Sequence, residues 1–239
     1  MNPIKEIISR VDTELDKYGW YRSYRNDYGY RTLFFAAIGA VTTALFAIYN
    51  GVFGILNGSL WYGAFAGYLI ILAFQRILVL ILRWAAVKKR GDDNEELFND
   101  KLKIYLANGA VFVPLTIALT VIISAILSSD DHGATNNIIA IMTATYAFLK
   151  IAMAIGNLVK AKSYRDPIIQ TIRNISFVDA LTSIIMLENT LVTTFGELTY
   201  TFRMLIIVSG LIVCSVSVGI GSFMIINACK QLKIGCKQI

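Results

Sequence analysis

Long apolar runs separated by short polar segments dominate this chain. Six are readable: Thr32–Leu56, Leu60–Leu82, Ile104–Leu127, Asn136–Val159, Ile168–Phe195 and Met204–Ala228. Each is long enough for a helix to cross the roughly 30 Å hydrocarbon core of a bilayer. Backbone groups in lipid must satisfy one another, so helices are the expected form. The expected fold class is all-α: an integral membrane bundle of six transmembrane helices. Asn57-Gly58-Ser59 is a turn signal and predicts a tight hairpin between the first two runs. Continuing that pairing along the chain gives three two-helix hairpins, returning to Arg83, Lys160 and Lys230. Repeats of this kind place transporter binding sites at the repeat interface.

The segment ahead of the first run has a different pattern. Ile4, Ile7, Ile8, Val11 and Leu15 recur at helical spacing, while Lys5, Arg10, Asp12, Glu14, Asp16 and Lys17 cover the rest. With Asn2 as cap, Pro3 in the first turn and Gly19 as stop, the spacing predicts an amphipathic helix over 3–18. It is too polar to span and is expected at the membrane interface. Trp20, Tyr21, Tyr24, Tyr28 and Tyr30 then alternate with Arg22, Arg25 and Arg31, a mixture suited to the headgroup layer. The expected organisation is an interfacial segment, 1–31, a six-span domain, 32–228, and a tail, 229–239.

Composition agrees with this reading. Hydrophobic residues make up 56% of the chain and charged residues 16%, and the mean hydropathy is +0.61. The first thirty residues are polar, so no cleaved signal is expected and the first run itself directs insertion. A net charge of +6 raises the question of nucleic acid, but no binding motif accompanies it. Lys and Arg instead cluster between alternate runs: eighteen fall in the N-terminal segment, the 83–103 loop, the 160–167 connector and the tail, against Arg203 alone on the other side. The positive-inside rule then puts both termini in the cytoplasm, in a plasma membrane. The lipid bilayer is the expected partner, with a companion membrane subunit or a second copy of the chain, and no nucleic acid.

Catalytic chemistry finds little support. His132 is the only histidine, and it sits beside Asp130 and Asp131 in a short polar loop. Cys214, Cys229 and Cys236 have no Cys-x-x-Cys or Cys/His spacing, so neither a metal nor a cofactor is expected. Asp179 lacks a second intramembrane aspartate, and Gly219-Ile-Gly221-Ser222 lacks a base. The chain is not expected to be an enzyme.

The polar residues inside the runs carry the functional signal, because a charge in lipid is costly unless paired or wet. Arg76, Lys150 and Asp179 fall about 10–15 Å from the inner ends of the second, fourth and fifth runs, so they are candidates for one intramembrane cluster. Thr182, Ser183 and Met186 share the Asp179 face. Glu188 is a candidate partner for Arg203 near the outer surface. Asn108, Gly109 and Pro114 are candidates to line a cavity. Small residues four apart allow close helix contact in membranes. Gly63 and Gly67 form the clearest pair, beside Ala36/Ala40/Ala44, Ala152/Gly156 and Ser217/Gly221.

Ser59 through Ile71, continuing at Gln75–Arg83, resembles a segment of small uncharacterised bacterial multi-span proteins. The stretch from Arg165-Asp-Pro-Ile-Ile to Asp179-Ala-Leu-Thr-Ser is similar to a later one. That resemblance implies a bacterial plasma membrane and no particular activity. The six-helix size and the alanine stripe also resemble the membrane-embedded substrate-binding subunits of energy-coupling-factor transporters. Two functional classes follow: a transport-related protein, acting alone or as such a subunit, and a non-transporting scaffold or regulator working through its cytoplasmic segments. A cavity reaching Lys150 and Asp179 favours the first, and a dry, paired core the second.

Overall fold

The computed structural model describes residues 28–90, 94–128, 137–160, 166–195 and 200–235. The amphipathic helix expected over 3–18, the loop holding His132, and Cys236 lie outside them. Six α-helices account for the described residues: α1 (Tyr28–Asn57), α2 (Leu60–Arg90), α3 (Asn94–Ser128), α4 (Asn137–Lys160), α5 (Pro167–Phe195) and α6 (Tyr200–Gly235). Five of them, all but α4, carry a segment long and apolar enough to cross a membrane. The apolar part of α4, Ala140–Gly156, is shorter, although the helix has 24 residues. The chain is a multi-pass membrane protein by the composition of its helices.

The helices outrun the apolar segments that specify them. α2 continues through Lys88 and Lys89 to Arg90, and α3 starts at Asn94, so most of the expected 83–103 loop is helical. Trp84, Ala85, Ala86 and Val87 can carry a helix onward, and Glu95 and Glu96 suit the positive end of the α3 dipole. α6 likewise takes in much of the tail, through Gly235. Asp166 starts α5: its Oδ1 accepts from the Ile168 and Ile169 amides at 2.8 and 3.4 Å, with Pro167 in the first turn. Its Oδ2 receives Lys101 at 2.7 Å, tying the start of α5 to α3. The α1–α2 turn closes by a glycine motif. Gly58 has φ +63°, and the amides of Gly58 and Ser59 bond back to Ile55 and Gly54 at 3.4 and 3.0 Å.

The bundle is apolar on its outside, as lipid requires. Leu60 is 89% exposed and Ile55 83%, values that would be unfavourable in water. Polar residues are turned inward. Buried Thr116, Thr171, Thr182 and Thr190 each bond the carbonyl four residues earlier, so none strands a hydroxyl in the core. α5 is the central helix and touches each of the others. Of its membrane-length segment 61% is buried, against 28% for α6, which lies at the edge.

Helix pairing departs from three sequential hairpins. α1 and α2 do form one. Beyond them α3 packs along α6 and α4 along α5, while α3 and α4 share no extensive interface among the described residues. The α3–α6 contact has a local cause. Gly109 and Gly221 face one another closely enough that a methyl on Gly221 would lie 3.0 Å from the Gly109 carbonyl oxygen. Gly221 of the Ser217/Gly221 pair therefore packs against α3. Gly109 packs there as well, and Asn108 accepts a hydrogen bond from Gln75 of α2 at 3.1 Å. Pro114 faces outward within an unbroken α3. Gly63 and Gly67 are both exposed, and a methyl on either meets open space. The Gly63 backbone nevertheless packs against Gly54 of α1. Gly54 is the tight position in that hairpin, 2.8 Å from Gly63 N to where its methyl would be.

These glycines should respond oppositely to substitution. Gly221→Val is expected to destabilise the detergent-solubilised protein by about 1–3 kcal/mol, the usual cost of overpacking. Gly63→Ala should cost nothing and gain helix propensity. Unfolding in SDS titrations reads both. Equal losses at the two sites would refute the α3–α6 glycine contact.

Candidate functional site

α5 brings Asp179 to the middle of the bundle, where it is 1% exposed. Two cations converge on one of its oxygens: Arg76 Nη2 of α2 lies 2.8 Å from Oδ2, and Lys150 Nζ of α4 lies 2.7 Å from it. The structure thus brings together all three of the intramembrane charges that the sequence singles out. Each comes from a different helix, and all are almost fully buried.

α1 supplies the remaining contacts. Lys150 Nζ donates to the Thr43 hydroxyl and, at 3.3 Å, to the Gly39 carbonyl. Thr43 in turn donates to the same carbonyl at 2.7 Å. The ammonium also sits 5.0 Å from the centre of the Tyr146 ring, one turn earlier on α4. Tyr146 stacks on Phe46 of α1 with centroids 3.9 Å apart. Gly39 has no side chain for a steric reason: its methyl would lie 2.5 Å from Arg76 Nη1. Below the bond of Tyr68 to Thr182, at 3.3 Å, α2 and α5 are thus joined by the arginine. Arg76 Nε remains buried without a hydrogen-bond partner.

Beside this cluster lies a cavity of about 320 Å³ between α1 and α4. Arg76, Lys150 and Gly39 form its inner wall, Ser176 its α5 side, and Arg31 and Thr32 its far end. Phe35 of α1 and Leu149 and Met153 of α4 give apolar sides. Ala152 and Gly156 line the cavity too, so this small-residue pair makes room instead of packing against a helix; a methyl on Gly156 would meet nothing within 4 Å.

The outer pair is not brought together. Glu188 accepts from Ser209 of α6 at 2.5 Å, and Arg203 donates to the Leu127 carbonyl at the end of α3, at 3.3 Å. Ser209 follows Arg203 by six residues, about 9 Å along α6, so Glu188 is level with the serine and not with the arginine.

Three contributors were not singled out from sequence. Thr43 and Gly39 look like part of a small-residue stripe, and only the arrival of Lys150 gives them a role. Arg173 of α5 was also passed over. It lines a second cavity of about 330 Å³ with Tyr105, Asn174 and Phe223, and its position two turns from the start of the helix made it resemble an end charge. Among the described residues no group of three or more His, Cys, Asp or Glu side chains is placed to hold a metal. No family model, curated protein or solved structure matches the chain.

Asp179→Ala is expected to be the most damaging single change in the cluster, at about 3–5 kcal/mol, because it strands two buried cations. Adding Lys150→Met should restore part of that loss, since one cation is then removed. Lys150→Met alone leaves the Arg76–Asp179 pair and should be mild. SDS-titration unfolding of the three variants tests this order, and a double variant worse than Asp179→Ala would contradict it.

Proposed function

We propose that this chain is a transport-related membrane protein that binds a small molecule or ion between α1 and α4, as a transporter or as the substrate-binding subunit of one. The single observation that carries the reading is the cavity that reaches Arg76 and Lys150. A charge pair that served only to fix helix register would need no space beside it, and lipid packing favours none. Ligand sites are typically concave, mostly apolar and furnished with a few convergent polar groups. This cavity has that make-up: three cationic side chains, Arg31, Arg76 and Lys150, two hydroxyls from Thr32 and Ser176, and apolar sides. The reading assigns it no catalysis.

The proposed topology has all six helices crossing the membrane, with both termini, the α2–α3 connection and the α4–α5 connection in the cytoplasm. Its support is the distribution of Lys and Arg, eighteen against one. Arg31 and Gly156 lie at the same end of the cavity, which makes that end cytoplasmic. The competing reading, a scaffold whose cluster only fixes helix register, draws on the close pairing of both cations with Asp179. It provides no role for the cavity.

Cysteine accessibility tests both topology and cavity, in a background with Cys214, Cys229 and Cys236 changed to serine. In spheroplasts a membrane-impermeant maleimide should modify His132→Cys and not Glu95→Cys. In inside-out vesicles it should modify Glu95→Cys and also Gly156→Cys. Modification of Glu95→Cys from outside would overturn the topology. An unreactive Gly156→Cys beside a reactive Glu95→Cys would overturn the cavity reading.

A further inference from the structure

The charges at the cavity do not balance. Arg76 and Lys150 contribute two positive charges, and Asp179 returns one negative, accepting both cations on a single oxygen. Among the described residues no Asp or Glu lines the cavity. The imbalance holds without counting Arg31 at the far end. A net positive charge is therefore held among side chains that are 1–3% exposed, where an unmatched charge is strongly penalised. Its natural complement is an anion, and the space for one adjoins the charge.

The walls restrict what carries that anion. Leu149 and Phe35 on either side of the cavity are 58% and 41% exposed, so the apolar sides continue onto the outer surface of the bundle. A volume of about 320 Å³ falls at the lower end of the range for ligand pockets, roughly 300–1,000 Å³. A highly hydrated polyanion would lose its water there against apolar sides. A single carboxylate or phosphate on an apolar body would not, because the head meets the cations while the body meets Phe35, Leu149 and lipid.

We infer that the cavity between α1 and α4 binds a monoanionic amphiphile, a carboxylate or phosphate headgroup on an apolar body, through Arg76 and Lys150. This rests on the reading of the cavity as a ligand site and names the ligand class. Lys150 is the selective element. Without it, Arg76 and Asp179 neutralise one another and the buried cluster holds no excess charge for an anion to compensate.

Protection of Gly156→Cys from maleimide, in the serine background and in nanodiscs, tests the inference. The probes are octanoate, octyltrimethylammonium and octanol, which share a chain and differ in charge. In phosphatidylcholine nanodiscs octanoate should slow modification saturably, and the other two should not. Replacing part of the lipid by phosphatidylglycerol separates the sources of the headgroup. A rate already low before octanoate is added identifies an anionic lipid, an unchanged rate identifies a free amphiphile, and either supports the anion. Lys150→Met should weaken octanoate or phosphatidylglycerol protection by roughly tenfold or more, as for one lost charge-assisted contact, while its unfolding midpoint without ligand stays well above that of Asp179→Ala. A cysteine that reacts freely with every probe present, or is protected equally by the cation, overturns the anion assignment and leaves the cavity reading standing. A cysteine that never reacts removes the cavity reading itself.

Discussion

One carboxylate oxygen organises the half of this bundle that carries the buried charges. Lipid offers no screening and no hydrogen bonds, so Arg76 and Lys150 each need a fixed counter-charge, and both find it on Asp179 Oδ2. The two cations arrive from α2 and α4 and the acceptor from α5, while the Gly39 carbonyl and Thr43 of α1 complete the lysine's shell. Depth and rotation of four helices are thereby coupled at one point. A helix that slid by a single turn would move its charge by about 5 Å and strand it. The central place of α5, which touches each of the other helices, follows from carrying the shared acceptor.

The other side of the bundle is held by different means. α3 and α6 lie along one another there. They approach through Gly109 and Gly221, where the absence of side chains lets one backbone contact the other. Gln75 and Asn108 link α2 to α3 at the same general level as the charges. Van der Waals contact is the main resource there, because apolar side chains gain nothing by leaving lipid for protein. Charges therefore specify register on one side, and backbone proximity supplies packing on the other.

How much of this could be read from the residues depends on whether the signal was local. Helix positions were legible because hydropathy over about twenty residues is a property of the segment alone. Arg76, Lys150 and Asp179 were legible as a group because charges in apolar runs are rare and their depths can be counted from the run ends. Helix partners were not legible. The pairing of α3 with α6 depends on which glycines meet across more than a hundred residues, and Gly63-x-x-x-Gly67 has a stronger motif than Gly109 and Gly221 yet faces outward. Ala152 and Gly156 failed for the same reason: smallness permits either contact or space, and only the opposite helix decides. Glu188 and Arg203 have complementary charges, but a serine on the facing helix was closer in depth. Arg173 was overlooked because it lies near a helix start, where a basic residue attracts no notice.

The cavity has its place because of where α1 and α4 are clamped. They are held together at two successive levels, by Lys150 with Gly39 and Thr43 and by Tyr146 stacked on Phe46. Towards the ends carrying Arg31 and Gly156 the facing residues include Ala152 and Gly156, too small to bridge a gap. Width at the open end is then set from above, by the clamp, and not by local contacts. Lys150 has two duties in that arrangement: it fastens α4 to α1 and α5, and it presents charge to the space that the fastening leaves. A ligand that draws on that charge acts on the same group that sets the gap, so occupancy of the cavity and the spacing of α1 and α4 are mechanically linked through one side chain. No such link reaches α3 and α6, whose glycine contact lies on the far side of α5 from Lys150 and shares no residue with the clamp.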